Sequence, residues 1–236
     1  MNIRFYLFLF SLLLMPLSAF EQDSLSHFNV SADIVSRYIW RGLALSSSPA
    51  FQPYISCTLG NFEIGSWSSY TFSTEPLQEA DLYLGYSVGN LSISLYDYYL
   101  PIEMADTSEN YFDWNSSTTR HMLEGGIGWS DIGNLPFSFL LAVIFYGSDK
   151  DDTGKNYYST YFEASYTFDL KGNELNVFAG LSPFEGMYAE KFAVVNLGCS
   201  LVKEIKVTDK FSIPLTGKFV INPDARKVFA VFGISF

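Results

Sequence analysis

Twelve stretches of this chain place apolar residues at every second position, the period of a β-strand whose two faces meet different surroundings. The first runs from Phe28 to Arg41 and sets Phe28, Val30, Ala32, Ile34, Tyr38 and Trp40 on one face. The second (51–59) aligns Phe51, Ile55, Cys57 and Leu59, and the third (62–70), rich in Ser and Gly, is the weakest. The fourth (79–88) aligns Ala80, Leu82, Leu84, Tyr86 and Val88, the fifth spans 91–100, and the sixth (119–129) aligns Leu123, Ile127 and Trp129. The seventh (137–146) is apolar on both faces, which leaves its register open. The eighth (157–168) groups Phe162, Ala164, Tyr166 and Phe168, the ninth (174–181) Leu175, Val177, Ala179 and Leu181. The tenth (192–201) groups Ala193, Val195, Leu197, Cys199 and Leu201, the eleventh (211–221) Phe211, Ile213, Leu215, Phe219 and Ile221. The last closes the chain with Val228, Ala230, Phe232, Ile234 and Phe236 on one parity.

The connections alternate in length. Gly60-Asn61, Gly89-Asn90, 130–135, 169–173 and 202–209 are short or modest and carry Gly-Asn, Asp and Lys turn residues. The intervening connections include the long stretch Pro101 to Thr118 and the polar stretch Gly147 to Asn156. An even number of alternating strands with short turns at one end and longer loops at the other is the pattern of a bacterial outer-membrane barrel. The sequence therefore predicts an all-β fold: a single antiparallel transmembrane β-barrel of 12 strands, or of 10 if the third and seventh segments fail. In that barrel Phe232, Ile234 and the terminal Phe236 form the aromatic-ended last strand that the barrel-assembly machinery reads.

Charges inside the segments agree with this division. Asp33, Arg37, Arg41, Glu79, Asp81, Glu124, Glu163 and Lys218 fall opposite the apolar set and are the candidate lumen-lining residues; a Lys or Arg turned to lipid at mid-depth costs about 2–4 kcal/mol. Asp97 is the exception, sharing parity with Leu91, Ile93 and Leu95, and a bulge near its strand end is expected to turn it inward.

The N-terminus changes the compartment. Met1 to Arg4 carries one positive charge, Phe5 to Pro16 is nearly all apolar, and Leu17-Ser18-Ala19 offers a cleavage point, which together predict a secretory signal peptide over 1–19 and a barrel over 20–236. No later stretch reaches the roughly 20 apolar residues of a membrane-spanning helix, although 48% of the chain is hydrophobic and 18% aromatic, with 22 Phe and 16 Tyr. A barrel places such residues on its lipid-facing band and aromatic girdles. The net charge of -11 speaks against nucleic acid as a partner. Cys57 and Cys199 both fall on apolar faces and read as two separate lipid-facing thiols, a disulfide being the alternative.

Several blocks carry a family likeness. Ser36-Arg37-Tyr38-Ile39-Trp40-Arg41-Gly42 followed by Ser46-Ser47-Ser48-Pro49-Ala50-Phe51-Gln52-Pro53 resembles the TorF-type porin family of bacterial outer-membrane β-barrels. Shorter matches run through nearly the whole mature chain: Ile64 to Trp67, Glu79 to Tyr83, Asp97 to Tyr99, His121 with Glu124, Asn196 to Gly198, Asn222-Pro223 and the ending Phe232 to Phe236. The resemblance implies a barrel in the outer membrane of a diderm bacterium more strongly than any transport activity, and it implies no residue roles.

Candidate chemistry is sparse. Arg37 and Arg41, on one strand and about 13 Å apart, are expected in the lumen, either as a selectivity site or in ion pairs with Asp81, Glu124 or Glu163. His121 and Glu124, three apart on a strand, point to opposite faces and form no joint site. A lipase at the outer leaflet needs a Ser and a His together, and beyond the lipid-facing parity of His121 no nucleophile motif marks one. Asp149 to Gly154 is faintly similar to a calcium loop but has Thr160 where the bidentate Glu belongs, so an ordinary hydrated loop is expected. Trp67, Tyr70, Tyr98, Tyr99, Trp129 and Tyr166 are expected in interface girdles, and Tyr83, Tyr96 and Tyr161 in the lumen, as a stacking track or as filling. The functional expectation is a non-enzymatic porin-like channel for ions and small polar solutes, mildly cation-preferring, without cofactor or metal and with outer-membrane lipid as its surroundings. A closed barrel acting as a scaffold or adhesin through its outer loops is the alternative, and an outer-membrane phospholipase the third reading.

Overall fold

The computed structural model describes residues 27–74, 77–101, 110–209 and 211–236. The signal segment 1–19, the mature start near Phe20, and Glu103, Asp106 and Glu109 of the long loop lie outside the described residues. The strands are β1 (His27–Val35), β2 (Tyr38–Trp40), β3 (Leu43–Ser46), β4 (Ala50–Leu59), β5 (Phe62–Thr71), β6 (Gln78–Val88), β7 (Leu91–Tyr99), β8 (His121–Trp129), β9 (Phe137–Gly147), β10 (Thr160–Asp169), β11 (Glu174–Ser182), β12 (Ala193–Thr208), β13 (Phe211–Asn222) and β14 (Lys227–Ser235). Twelve of them, all but β2 and β3, close into one antiparallel barrel in which each strand pairs with its neighbours in sequence and β1 pairs with β14. The third and seventh segments are full strands, β5 and β9, so the count is 12 rather than 10.

Closure satisfies every ladder and leaves no edge, and the period-2 pattern then decides what each face meets. Phe28, Val30, Ile55, Ile64, Leu82, Leu84, Ile93, Ile127, Leu141, Val177, Leu215, Phe219, Val228 and Phe232 are exposed on the outer wall. Cys57 and Cys199 are free thiols on that wall, opposite Ile64 and Val177 respectively. Phe232 and Phe236 stay exposed, and Ile234 lies opposite Ile34 and Leu215. The turns 60–61, 89–90 and 170–173 lie at one end with His27; Val35, Tyr99, Gly147 and Ser182, where β1, β7, β9 and β11 end, lie at the other, the loop end.

Three segments depart from the sequence expectation. β1 stops at Val35, so Arg37, Tyr38, Trp40 and Arg41 are not part of that strand. The chain turns at Ser36-Arg37 and runs into the lumen as the hairpin β2–β3 before returning to the wall at Ala50. In β12 the ladder shifts where Gly180 and Leu181 of β11 meet it, so Ala193 and Val195 leave the outer parity and are buried inside. Residues 202–208, expected as a connection, instead extend β12, with Lys203 opposite Leu215 and Thr208 opposite Phe211, so the β12–β13 arm projects past its neighbours.

Candidate functional site

The hairpin turns on Arg41 and Gly42, both with positive φ (48° and 81°), the backbone of a two-residue turn between Trp40 and Leu43. Gly42 is there for two reasons: its φ is one that side chains resist, and a Cβ would collide with the Val195 carbonyl. The Gly42 carbonyl accepts a hydrogen bond from Asn222 Nδ2 at 3.1 Å. Around this tip a small apolar core forms inside the barrel. Trp40 and Leu43 pack on Tyr161, Tyr188, Ala189, Ala193 and Val195, while Ile39 packs on Phe178, Val220 and Phe229. The bulge that turns Val195 inward is thus what gives the hairpin its apolar seat.

Arg41 fixes the tip. Its guanidinium donates to Glu124 Oε2 at 2.5 Å and Oε1 at 2.8 Å, a two-pronged pair, and to the Tyr188 hydroxyl at 2.5 Å. The guanidinium carbon lies 4.8 Å from the ring centroids of Trp40 and Tyr161. Tyr98 donates to Glu124 Oε1 at 2.9 Å. The pair is nearly shut from solvent, with side-chain exposures of 11% and 3%. It joins the hairpin, the β8 wall and the 183–192 loop, whose Tyr188 is buried in the barrel.

The remaining lumen charges segregate. On the β5–β6 wall, Glu63 accepts from the Tyr83 hydroxyl at 2.5 Å and the Tyr54 hydroxyl at 3.0 Å. Asp81 is buried and accepts from the Tyr99 backbone N–H at 3.3 Å. Glu79 is buried beside Tyr38, and its Oε2 has no hydrogen-bond partner among the described residues. Glu163 is held by the Tyr161 hydroxyl and by Asn196 Nδ2 at 2.9 Å. Where β4, β1, β14 and β13 adjoin, Gln52, Asp33, Thr216 and Lys218, with Arg37 of the hairpin segment, line a cavity of about 190 Å³. Neither Arg37 nor Lys218 has a carboxylate within ion-pair distance among the described residues; Lys218 Nζ sits 5.2 Å from the Phe178 ring centroid. Of the eight sequence candidates, Arg41, Asp81 and Glu124 line one interior cavity and Asp33, Arg37 and Lys218 another, while Glu79 and Glu163 line neither; Arg37 and Arg41 come from the hairpin segment rather than from a strand spaced by 13 Å, and among the described residues of this set only Arg41 and Glu124 form an ion pair.

Below the hairpin lies a cavity of about 620 Å³, lined among others by Trp40, Trp67, Asp81, Tyr83, Ser87, Ser92, Tyr96 and Glu124. Tyr54, Tyr83, Tyr96 and Tyr98 stand in a row along its wall, successive ring centroids 6.0, 5.2 and 5.5 Å apart and ring planes within 21° of parallel. Gly65 makes room for Tyr83, whose ring occupies the space a Cβ there would need. Trp67 and Tyr98, expected in the girdles, face this interior: Trp67 meets Tyr38 and Tyr98 meets Trp40. Glu63 was missed by the sequence reading although it shares the parity of Asp81's partner Trp67; Tyr188, in an irregular loop, carries no periodic signal at all.

Asp97 does not turn inward. The β7 ladder is unbroken on both sides, and Asp97 lies opposite Leu82 and Leu123 on the outer wall. It is accommodated by His121, whose Nδ1 is 2.8 Å from Asp97 Oδ1. His121 Nε2 lies 2.7 Å from the Tyr111 carbonyl, which can only accept, so this nitrogen carries a proton. Neither ring nitrogen is presented to a hydroxyl. Tyr99, Tyr111 and Trp114 pack on the imidazole with centroids 4.7, 4.9 and 3.9 Å away, and the Tyr146 hydroxyl donates to the Trp114 carbonyl, so the 110–119 segment lies over the pair like a cap. Within the cap the Thr118 hydroxyl and the Asn115 backbone N–H hold the Asp113 carboxyl below the usual carboxylate range. In the 148–159 loop, Asp151 Oδ1 accepts from the Thr153 N–H and hydroxyl and the Lys155 N–H, the geometry of an aspartate-stabilised turn. Compared with known proteins, the chain matches no family model and no characterised sequence significantly.

Proposed function

We propose that this protein is an outer-membrane channel of small conductance in which the hairpin β2–β3 forms the constriction. The reading rests on the lumen-inserted hairpin held by Arg41 and Glu124. Around it the barrel has an apolar outer wall and an inner wall of charged and hydroxyl side chains, the division that suits lipid outside and solute inside. Constrictions lined by opposed charges select ions and small polar molecules by charge and size. Once Arg41 and Glu124 cancel, Asp33, Glu63 and Glu163 alone outnumber Arg37 and Lys218, which supports a mild preference for cations. Ions and small polar solutes are the solute class; outer-membrane lipid and the barrel-assembly machinery, through Phe232, Ile234 and Phe236, are the partners in this reading.

The block that resembles TorF-type porins, Ser36 to Gly42 and Ser46 to Pro53, brackets the hairpin, so family membership and an inward hairpin belong to the same proposal. A second reading, a barrel closed at rest, is favoured by the burial of Tyr188 against the same tip. Planar-bilayer recording of the folded protein across a salt gradient decides between them. Small discrete steps with a cation-shifted reversal potential are expected. Silence from inserted protein, persisting when residues 38–46 are replaced by a short Gly-Ser linker, sinks the channel reading.

A further inference from the structure

We propose that the cavity beneath the hairpin is a binding site for a small organic cation, one that couples a flat ring to a primary ammonium group. Its volume of about 620 Å³ lies within the usual range of small-molecule sites, roughly 300–1,000 Å³. Trp40, Trp67 and the row Tyr54–Tyr83–Tyr96–Tyr98 supply aromatic surface, against which flat rings stack and cations are attracted. The charge of the cavity is one-sided. Glu63 lines it with no Lys or Arg in ion-pair contact among the described residues; the one cation in the lining, Arg41, is committed to Glu124. Hydroxyl donors alone satisfy the Glu63 side chain, so its charge is solvated but not neutralised.

Glu63 reaches the cavity with its carboxylate bonded to hydroxyls alone, and an ammonium N–H is the donor that also supplies the opposite charge. Asp81, buried in the same wall, already has one carboxylate oxygen on the Tyr99 backbone N–H. Glu79, whose Oε2 has no partner among the described residues, is not part of the lining. Anions are disfavoured by the same carboxylates, and neutral hydroxylated rings would leave the charge uncompensated. Ser87 and Ser92, which flank the β6–β7 turn, put the cavity mouth toward the turn end, whereas the hairpin lies on the loop side. The site stands whether or not the barrel conducts.

Isothermal titration of the detergent-folded full chain tests it, because conduction plays no part there. Phenethylammonium is the probe; phenylacetate, with a similar ring and the opposite charge, and glucose are the comparisons. Phenethylammonium is expected to bind and phenylacetate not. Glu63→Gln should weaken binding by about tenfold, or one factor of ten in Kd. Gly85→Leu tests the cavity without touching its charge: Gly85 lines it, and a Cβ there meets only ordinary contacts at 3.9 Å, so the larger side chain grows into the open space and should abolish binding. Heat-modifiable gel mobility shows that each variant has folded. Equal binding of phenylacetate, no binding of phenethylammonium, or glucose binding indifferent to Glu63→Gln would each overturn the assignment.

Discussion

Arg41 and Glu124, 83 positions apart in sequence, meet across the lumen with both prongs of the guanidinium on both carboxylate oxygens, at 2.5 and 2.8 Å. The pair is the only strong polar tie between the hairpin tip and the β8 wall among the described contacts, and Tyr98 and Tyr188 are bonded to it in turn. Removing one member leaves the other charge buried without its partner, which typically costs about 3–5 kcal/mol. Glu124→Gln or Arg41→Ala should therefore release the hairpin and raise single-channel conductance by about twofold or more, with the barrel still folded. The exchange Arg41→Glu with Glu124→Arg should restore part of the low conductance. Conductance unchanged in both single variants would mean that the hairpin is not the constriction.

Gly42 is the second point of attachment. Any side chain there must take φ near 81° and displace the Val195 carbonyl. The strained backbone alone costs of order 1–3 kcal/mol, and the collision adds to it. Gly42→Val is expected to expel the hairpin as Glu124→Gln does, seen as new protease cleavage within 38–46 while the barrel strands stay protected. Cleavage no faster than in the parent chain would contradict the close packing on Val195.

The barrel was legible because a closed sheet with unlike faces enforces a period of two, and most strands carry that mark. The hairpin was not, because Tyr38 and Trp40 happen to continue the parity of Phe28 to Ile34. Length held the clue: a strand from Phe28 to Arg41 would exceed the roughly 9–11 residues a membrane requires, and Arg41-Gly42 between two apolar residues is a turn. Arg is a poor first residue for that turn, which favours Asn, Asp or Gly; its place is explained by Glu124, a tertiary contact no local pattern contains. The same holds for Val195, apolar on either face and turned inward by a bulge that periodicity cannot see. Asp97 was flagged by its parity but not its remedy, since His121 lies 24 residues away.

That remedy predicts a local failure. His121→Ala removes the group that both hydrogen-bonds Asp97 and carries Tyr111 and Trp114 on its ring. The 110–119 cap should detach, giving faster proteolysis there, and the outward carboxylate should lower the barrel's thermal stability. Asp97→Asn in the same background removes the charge and should recover stability but not the cap. If His121→Ala alone leaves loop cleavage and melting unchanged, the pair has no role in seating the cap.

The cap also has an acid limit. Asp113 is held below its ordinary range by the Thr118 hydroxyl first and the Asn115 N–H second. A carboxyl whose folded value is depressed contributes order above the ordinary value and loses it as pH falls through the lowered one. Protection of the 110–119 amides, taken relative to free-peptide exchange at the same pH, should therefore be high at about pH 5 and fall towards about pH 2, a window set by the usual aspartate value near 4. Asp113 is fully exposed, so salt should screen part of the effect. Thr118→Val should move the loss of protection to higher pH. A profile identical in the variant would remove Thr118 as the cause.

Charge segregation makes the last prediction sharper than a count of lumen residues. Arg37 and Lys218 share the cavity between β4, β1, β14 and β13 with a single carboxylate, Asp33, and neither is in ion-pair contact with one among the described residues. Unpaired charges set the local potential, whereas Arg41 and Glu124 largely cancel. Arg37→Gln with Lys218→Gln should therefore strengthen cation preference, seen as a larger reversal potential in a salt gradient. Glu163→Gln should act in the opposite direction and more weakly, because Tyr161 and Asn196 already hold that carboxylate with two hydrogen-bond donors. Neutralising Glu124 is a poor test of selectivity, since it also frees Arg41 and the hairpin. If the Arg37–Lys218 double variant leaves the reversal potential where it was, solute passes along the carboxylate wall alone, and the two cations lie off its path.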